Sequence, residues 1–450
     1  MTSGGKLQRS LGTLTLAAVM FFNTSGGAFS LEGLVASVGP GVSLLLLVLV
    51  PLLWSIPETL LVAELASMLP QEGGYYRWVH RAFGPFWAFQ NGWFTWCYSM
   101  VDMAIYPVLF NQYLAFFFPS LSPSTQWLIS LGVIWGATAI NLRGAARVGQ
   151  VSVFAACVVL STFLAITIAA IPRLDHVPWQ PFAHSGQTSY DALGVGLSIV
   201  LWNYLGWDNA STVGGEIRDA GRTYPKALAI ALVVVTAGYL LPVSATLAAS
   251  DWTTWKDGGW PDIARATGGA AGPLLAIAVS VAGVVSALAL FNALLLAYSR
   301  IPLAMAQDGL LPAALGKLDT RGNPDRAILV SAVCYSAFAL LPFAQLVVAD
   351  VLLYSMALAL EFGALIRLRK SEPELRGSFR LPIGIGGVTA LAALPMIILV
   401  LTMWLSFRGG ELGATAVTAA LLAAALGPVL FKFTPLARGT AGQRAIERED

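Results

Sequence analysis

Six acidic residues, Glu32, Glu58, Glu64, Asp102, Asp208 and Glu361, stand inside apolar stretches of this chain. In a membrane interior each costs at least about 2.5 to 3.5 kcal/mol on insertion scales, so it persists only with a partner or a task. No Lys or Arg lies at comparable depth along the sequence. The neutralising partner is therefore a proton or a bound cation, and a cationic cargo fits better than an anionic one. Hydrolytic chemistry does not fit. There is no H-E-x-x-H or G-x-S-x-G motif, and His80, His176 and His184 lie in or near expected loops. Cys97, Cys157 and Cys334 fall in apolar runs without C-x-x-C spacing and read as packing residues. No metal, no cofactor and no enzymatic activity is expected.

The six acids differ in context. Glu64 sits near the end of its run, within reach of loop bases, and reads as half of a structural ion pair. Glu361 precedes Arg367 and Arg369 by under two turns, so structural and functional readings balance. Glu58 follows Pro57 at mid-depth with Trp54 one turn earlier, and Asp102 precedes Tyr106 by one turn, which favours function for both. Glu32 and Asp208 make the strongest case, because each follows an interruption of its apolar run. Asp208 is also flanked by Trp202, Tyr204 and Trp207, and aromatic faces attract alkylammonium groups.

The elements that must hold these acids are membrane helices. The chain has 450 residues, 57% of them hydrophobic and 11% charged, with a mean hydropathy of +0.72, outside the range of soluble globular proteins. Apolar runs of helix length predict twelve spans, near 11–38, 42–67, 86–118, 125–141, 149–171, 190–213, 226–249, 273–304, 327–345, 348–366, 386–407 and 412–433. The first run lacks a cleavage site after a short apolar core and reads as retained rather than as a removable signal peptide. With the N-terminus in the cytoplasm, all of the 26 Lys and Arg residues except Arg173, Lys256, Arg265 and Arg408 fall on the cytoplasmic side. That bias predicts both termini inside a multi-pass protein of the cell membrane. The net charge of +2 gives no reason to invoke nucleic acid. The expected organisation is a cytoplasmic tail (1–10), one membrane domain (11–433) and a second cytoplasmic tail (434–450).

Spans one and six share an anomaly. Span one carries Asn23-Thr24-Ser25-Gly26-Gly27 at its middle, and span six carries Trp202-Asn203-Tyr204-Leu205-Gly206-Trp207-Asp208. Equivalent elements five spans apart must be inverted in the membrane, and two broken helices at matching positions of inverted halves mark a midplane transport site. Unwinding frees backbone groups that lipid does not tolerate but a cavity uses. The alternative is close helix packing through small residues; the matching break in span six favours a binding site. Paired breaks also suit an occluded site better than a continuous pore. The long outer loop 250–271, with Trp252, Trp255 and Trp260, is expected to anchor along the interface rather than act as a lid.

At these residues the chain resembles the polyamine-proton symporter branch of the amino acid, polyamine and organocation superfamily. The likeness runs through Ser25-Gly26-Gly27-Ala28-Phe29-Ser30-Leu31-Glu32, Trp54-Ser55-Ile56-Pro57-Glu58, Gly73-Gly74-Tyr75, Gly84-Pro85-Phe86-Trp87, Asp102, Tyr106-Pro107-Val108-Leu109, Trp202-Asn203, Trp207-Asp208, Gly215-Glu216, Tyr224-Pro225-Lys226-Ala227-Leu228 and Leu360-Glu361-Phe362. It implies an all-α membrane fold of 12 transmembrane helices: two inverted five-helix repeats, about 11–171 and 190–366, with helices one and six broken, plus two peripheral helices at about 386–433. The resemblance implies that Gly26, Gly27, Glu32, Trp202 and Asp208 line the site, and the full set expected to bind substrate is Ser25, Gly26, Gly27, Glu32, Asp102, Tyr106, Trp202, Asn203, Trp207 and Asp208. Candidates for carrying a coupling proton are Glu58, Asp208 and Glu361. Ala28 stands where a proline is common in the family, and Leu205-Gly206 where a more polar pair is common. The expected activity is uptake of a polyamine or related organic cation coupled to a proton; the alternative is an amino acid permease or exchanger.

Overall fold

A computed structural model of the protein describes residues 7–184, 190–338, 343–408 and 411–438. The expectations for the outermost tail residues, including Lys6, Arg444 and Arg448, lie outside the described residues. Within them the chain is helical, with only two isolated β-bridges, Leu11 with Ile217 and Glu72 with Val213. Helix occupies every one of the twelve expected intervals. Among the described residues, six helical stretches are long and apolar enough to cross a membrane by length and composition alone.

Both anticipated breaks are present. Span one divides into Thr13–Thr24 and Leu31–Val38. Between them Gly26 and Gly27 take φ of 69° and 110°, a region that glycine enters without steric cost. Span six begins as Tyr190–Trp202 and gives way to the short 3-10 turns Asn209–Thr212 and Gly214–Glu216. Gly206, φ 94°, has no room for a side chain, since a Cβ there would stand 2.3 Å from the Asn23 carbonyl oxygen. The two breaks therefore touch. Ser30 and Asn203 join them again through Asn203 Nδ2–H donating to Ser30 Oγ at 3.0 Å.

Proline shapes span two. Its helix Pro40–Val50 passes into a π-helical turn, Pro51–Ser55, before resuming as Ile56–Met68. Pro57 has no N–H to give to the preceding turn, and a one-residue π insertion re-aims the residues that follow. Glu58 is thereby turned into the interior, where it is fully buried. Span three, Pro85–Leu114, is the central post. It packs most extensively against span ten, Phe343–Ser371, and span eight, Gly272–Tyr298.

Two segments depart from expectation. The loop 250–271 is not an interfacial anchor, because Trp260 is fully buried and Trp255 nearly so. Trp260 Nε1–H donates to the Ala28 carbonyl at 2.8 Å, so the loop is folded onto the span-one break. Burial of the indoles within the protein outweighs their affinity for the interface. Secondly, Arg300, counted among the loop bases, is fully buried at the end of span eight and bonded to Glu216.

Candidate functional site

A cavity of about 20 Å³ lies where the two breaks meet spans three, eight and ten. It is roughly the size of one water molecule. Asp102 and Asp350 both line it. Its wall is aromatic, built from Tyr98, Tyr106, Trp202, Tyr298 and Tyr354, and among the described residues no Lys, Arg or His contributes.

The two acids have different surroundings. Asp102 Oδ1 accepts from Tyr106 Oη at 2.5 Å and from Trp202 Nε1 at 3.4 Å, while Oδ2 accepts from Tyr298 Oη at 2.8 Å. Tyr106 follows Asp102 by one helical turn on span three, which brings its hydroxyl back to the carboxylate. Neutral donors thus occupy both of its oxygens. Asp350, about two turns into span ten, is buried, and its Oδ1 has no hydrogen-bond partner among the described residues.

Behind the cavity stands a second group of acids, reached through Tyr354. The Tyr354 hydroxyl lies 2.5 Å from Glu58 Oε1 and 2.6 Å from Asp208 Oδ1, and it accepts the Gly206 N–H at 3.0 Å. Glu361 lies within hydrogen-bonding reach of Asp208. Asn91 Nδ2 approaches Glu361 Oε1 at 3.5 Å. Asp350, Tyr354 and Glu361 follow one another along one face of span ten, at offsets of four and seven residues. One tyrosine therefore belongs to both the cavity wall and the acid cluster.

Family comparison decides what kind of machine this is. A model of the amino acid permease family matches residues 11–426. This chain belongs to that family. The permease is 34% identical to a probable polyamine transporter of Arabidopsis thaliana, over 88% of this chain and 80% of the relative. It is 33% identical to the polyamine transporter PUT1 of Oryza sativa subsp. japonica, over 88% and 74%. A further relative is the polyamine transporter RMV1 of Arabidopsis thaliana, 32% identical over 94% and 85%. The permease is thus a multi-pass membrane transporter rather than an enzyme, and it handles a small molecule of the polyamine or amino acid kind.

Of the residues expected to bind substrate, Ser25, Asp102, Tyr106 and Trp202 line the permease's cavity. Asn203 holds the two breaks together instead. Gly26 and Gly27 face neighbouring helices. A Cβ would meet Leu290 and Ser286 at 2.6 Å from Gly26, and Val159 at 2.6 Å from Gly27. Both small-residue packing and backbone unwinding are therefore realised at the same pair. Trp207 is buried outside the cavity lining, Asp208 belongs to the acid cluster, and Glu32 lies under the loop 250–271. Glu58 and Glu361 stand with Asp208 in the acid cluster behind the cavity.

The chief omission of sequence reasoning is Asp350. It fell at the edge of an expected span, where an acid attracts no notice. The available signal was its periodicity with Glu361, eleven residues or about three turns away on the same face.

Among the described residues, the buried ion pairs are those of Arg369 and Arg300. Arg369 closes on Glu64 with both oxygens engaged, at 2.6 and 2.5 Å, as expected of a structural pair. Arg77 binds Asp308 at 2.6 Å. Arg300 donates to Glu216 at 2.7 Å and lies 3.5 Å from Glu72. Burial and the neighbouring Glu216 hold the Glu72 carboxyl well above the usual carboxylate range, against the opposing pull of Arg300. The N-terminal segment is tied in at the same place, with Ser10 and Leu11 N–H donating to the Glu216 carbonyl. Exposed Arg81 holds the Glu372 carboxyl below its usual range through a hydrogen bond.

Proposed function

We propose that this permease imports a polyamine or related linear organic cation, coupled to a proton, by alternating access. The observation that carries the reading is the pairing of Asp102 with Asp350 in an aromatic cavity that, among the described residues, has no basic side chain in its lining. A diammonium chain neutralises two carboxylates, and its methylene and ammonium groups suit tyrosine and tryptophan faces. The zwitterion of a neutral amino acid would bring a carboxylate into a cavity already holding two. The names of the polyamine transporters similar to this chain point the same way.

In this proposal Asp350 meets an ammonium group directly, through its unpaired oxygen. Asp102 is the second anchor, held in place by Tyr106, Tyr298 and Trp202. Ser25 presents the span-one break to the cargo. Since the cavity is water-sized, a polyamine enters only as the walls part, and its binding energy is spent on choosing between conformations.

Proton coupling belongs to Glu58, Asp208 and Glu361. A tyrosine hydroxyl has one hydrogen to donate and two lone pairs. The Tyr354 hydroxyl faces two carboxyl oxygens and takes the Gly206 N–H on one lone pair. The arrangement is satisfied when one of Glu58 and Asp208 is protonated and donates to the tyrosine while the other accepts from it. The contact between Asp208 and Glu361 calls for another proton in the same way. Through Tyr354, movement of the cavity wall then alters the pairing of these protons.

The proposal includes an architecture of twelve spans with both termini cytoplasmic, repeats at about 11–171 and 190–366, and peripheral helices beyond. The test is uptake of radiolabelled putrescine and spermidine by proteoliposomes under an imposed pH gradient, with a panel of amino acids as competitors. Acid-driven accumulation that amino acids leave unaffected is the expected result. Competition by leucine or arginine, without uptake of polyamines, would transfer the assignment to an amino acid permease or exchanger.

A further inference from the structure

Glu32 lies apart from the central cavity and has surroundings of its own. It is fully buried in the first turn of Leu31–Val38. Its Oε1 accepts from Tyr113 Oη at 2.7 Å and from the Gly258 N–H at 2.9 Å. Its Oε2 has no hydrogen-bond partner among the described residues. Beside it is a second carboxylate. Asp257 Oδ1 stands 1.7 Å from the position a Cβ on Gly33 would take, so it rests directly on the backbone next to Glu32. Asp257 is also exposed on its outer side, which leaves the pair open to approach. The neighbouring base, Lys256, turns its Nζ towards Asp262 at 3.9 Å, and its side chain is 71% exposed.

The wall around Glu32 is aromatic. Phe29 meets Tyr113 edge to face at 4.7 Å and Phe163 at 4.9 Å, and Phe163 meets Trp260 at 5.0 Å. A buried carboxylate oxygen without a donor, a second carboxylate open to solvent and aromatic faces around them form a receptor for an alkylammonium group. Span three relates this place to the cavity. Tyr106, which holds Asp102, and Tyr113, which holds Glu32, are seven residues apart on one helix face, or about 10 Å. That is on the scale of an extended polyamine.

We propose that Glu32 and Asp257 form a second, outer ammonium-binding site, which receives one amine of the cargo before the central pair does. This rests on the polyamine reading. The loop 250–271 is part of the site: Gly258 binds Glu32 and Trp260 binds Ala28 in the span-one break, so an amine arriving between Glu32 and Asp257 competes with the contacts that hold the loop down. Loop release and cargo capture become one event.

The experiment is equilibrium binding of labelled spermidine to the full-length protein in nanodiscs. Two classes of site are expected in the wild type. Asp102→Asn with Asp350→Asn should remove the tighter class and leave the weaker. Asp257→Asn, at a partly exposed position, and Glu32→Gln should each weaken the weaker class about tenfold and leave the tighter one within about twofold. Glu32→Asp, which keeps the charge, should restore part of the loss where a purely structural role would not. Thermal shift establishes that each variant is folded. A single class of site, unchanged by Asp257→Asn and by Glu32→Gln, would overturn the outer site and leave the central one standing. Wild-type protein that binds no spermidine at all would instead remove the polyamine reading.

Discussion

Tyr354 and Asp208 are joined by a hydrogen bond of 2.6 Å that couples the wall of the central cavity to the buried acids behind it. The same hydroxyl reaches Glu58 at 2.5 Å. Removing it with Tyr354→Phe leaves the Gly206 N–H and two carboxyl oxygens without their shared partner. Each buried group so abandoned costs about 1 to 3 kcal/mol, so the variant should melt at a lower temperature. It should also take up labelled polyamine less steeply as external pH falls. Wild-type pH dependence in a folded Tyr354→Phe protein would show that the hydroxyl does not connect cargo to protons.

Asp208 itself is tested by substitution with asparagine. Asp208→Asn keeps the side-chain size and lies outside the cavity lining. It should therefore retain spermidine binding at equilibrium and lose accumulation driven by a pH gradient. Loss of binding together with transport would place Asp208 in the cargo site.

Asp350 and Asp102 should separate by cargo charge. Asp350→Asn removes the carboxylate that has an oxygen to spare, and uptake of diamines should fall about tenfold or more. A linear monoamine, which needs one carboxylate, should lose less. Equal loss for both would mean that the two acids do not divide the amines between them. Competition curves in the same proteoliposomes supply the measurement.

Glu64 and Arg369 make a structural prediction. Both are buried, and the guanidinium also donates to the Ile383 and Leu381 carbonyls. Breaking a buried pair by removing one member costs about 3 to 5 kcal/mol, whereas replacing both with well-packed apolar residues is often neutral. Glu64→Gln should lower the melting temperature markedly, and Glu64→Leu with Arg369→Met should recover much of the loss. A single variant as stable as the parent would contradict the pairing.

The sequence exposed the breaks because Gly26, Gly27 and Gly206 interrupt long apolar runs, and it exposed Glu58, Asp102 and Asp208 because acids are conspicuous among leucines. It did not reveal which way a side chain near a break points. Glu32 follows the first break by a few residues, but its helix turn aims it at Tyr113 and the outer loop rather than at the cavity. Trp255 and Trp260 have the composition of an interfacial belt; only tertiary packing shows that they are buried. Asp350 was hidden by its place at the end of a span, and Arg300 by its place beside loop bases. In each case the missing information was a contact between residues far apart in the chain.

Glu72 supplies a prediction about pH. It shares Arg300 with Glu216, and Arg77 Nε donates to its backbone carbonyl at 3.3 Å. One guanidinium neutralises one carboxylate, and Glu216 holds it more closely, so the second acid is favoured in its protonated form. Burial and Glu216 raise the folded-state pKa of Glu72 above the unfolded value of about 4.3, outweighing Arg300. A carboxyl shifted in that direction contributes stability that is complete below the unfolded pKa and is lost as pH rises through the folded one. The wild-type melting temperature should therefore decline from acidic towards alkaline buffer. Glu72→Gln, which keeps a neutral side chain at every pH, should decline less and should exceed the wild type at the alkaline end. Parallel melting profiles for the two proteins across the pH series would mean that Glu72 is already ionised in the folded protein, with Arg300 serving both acids.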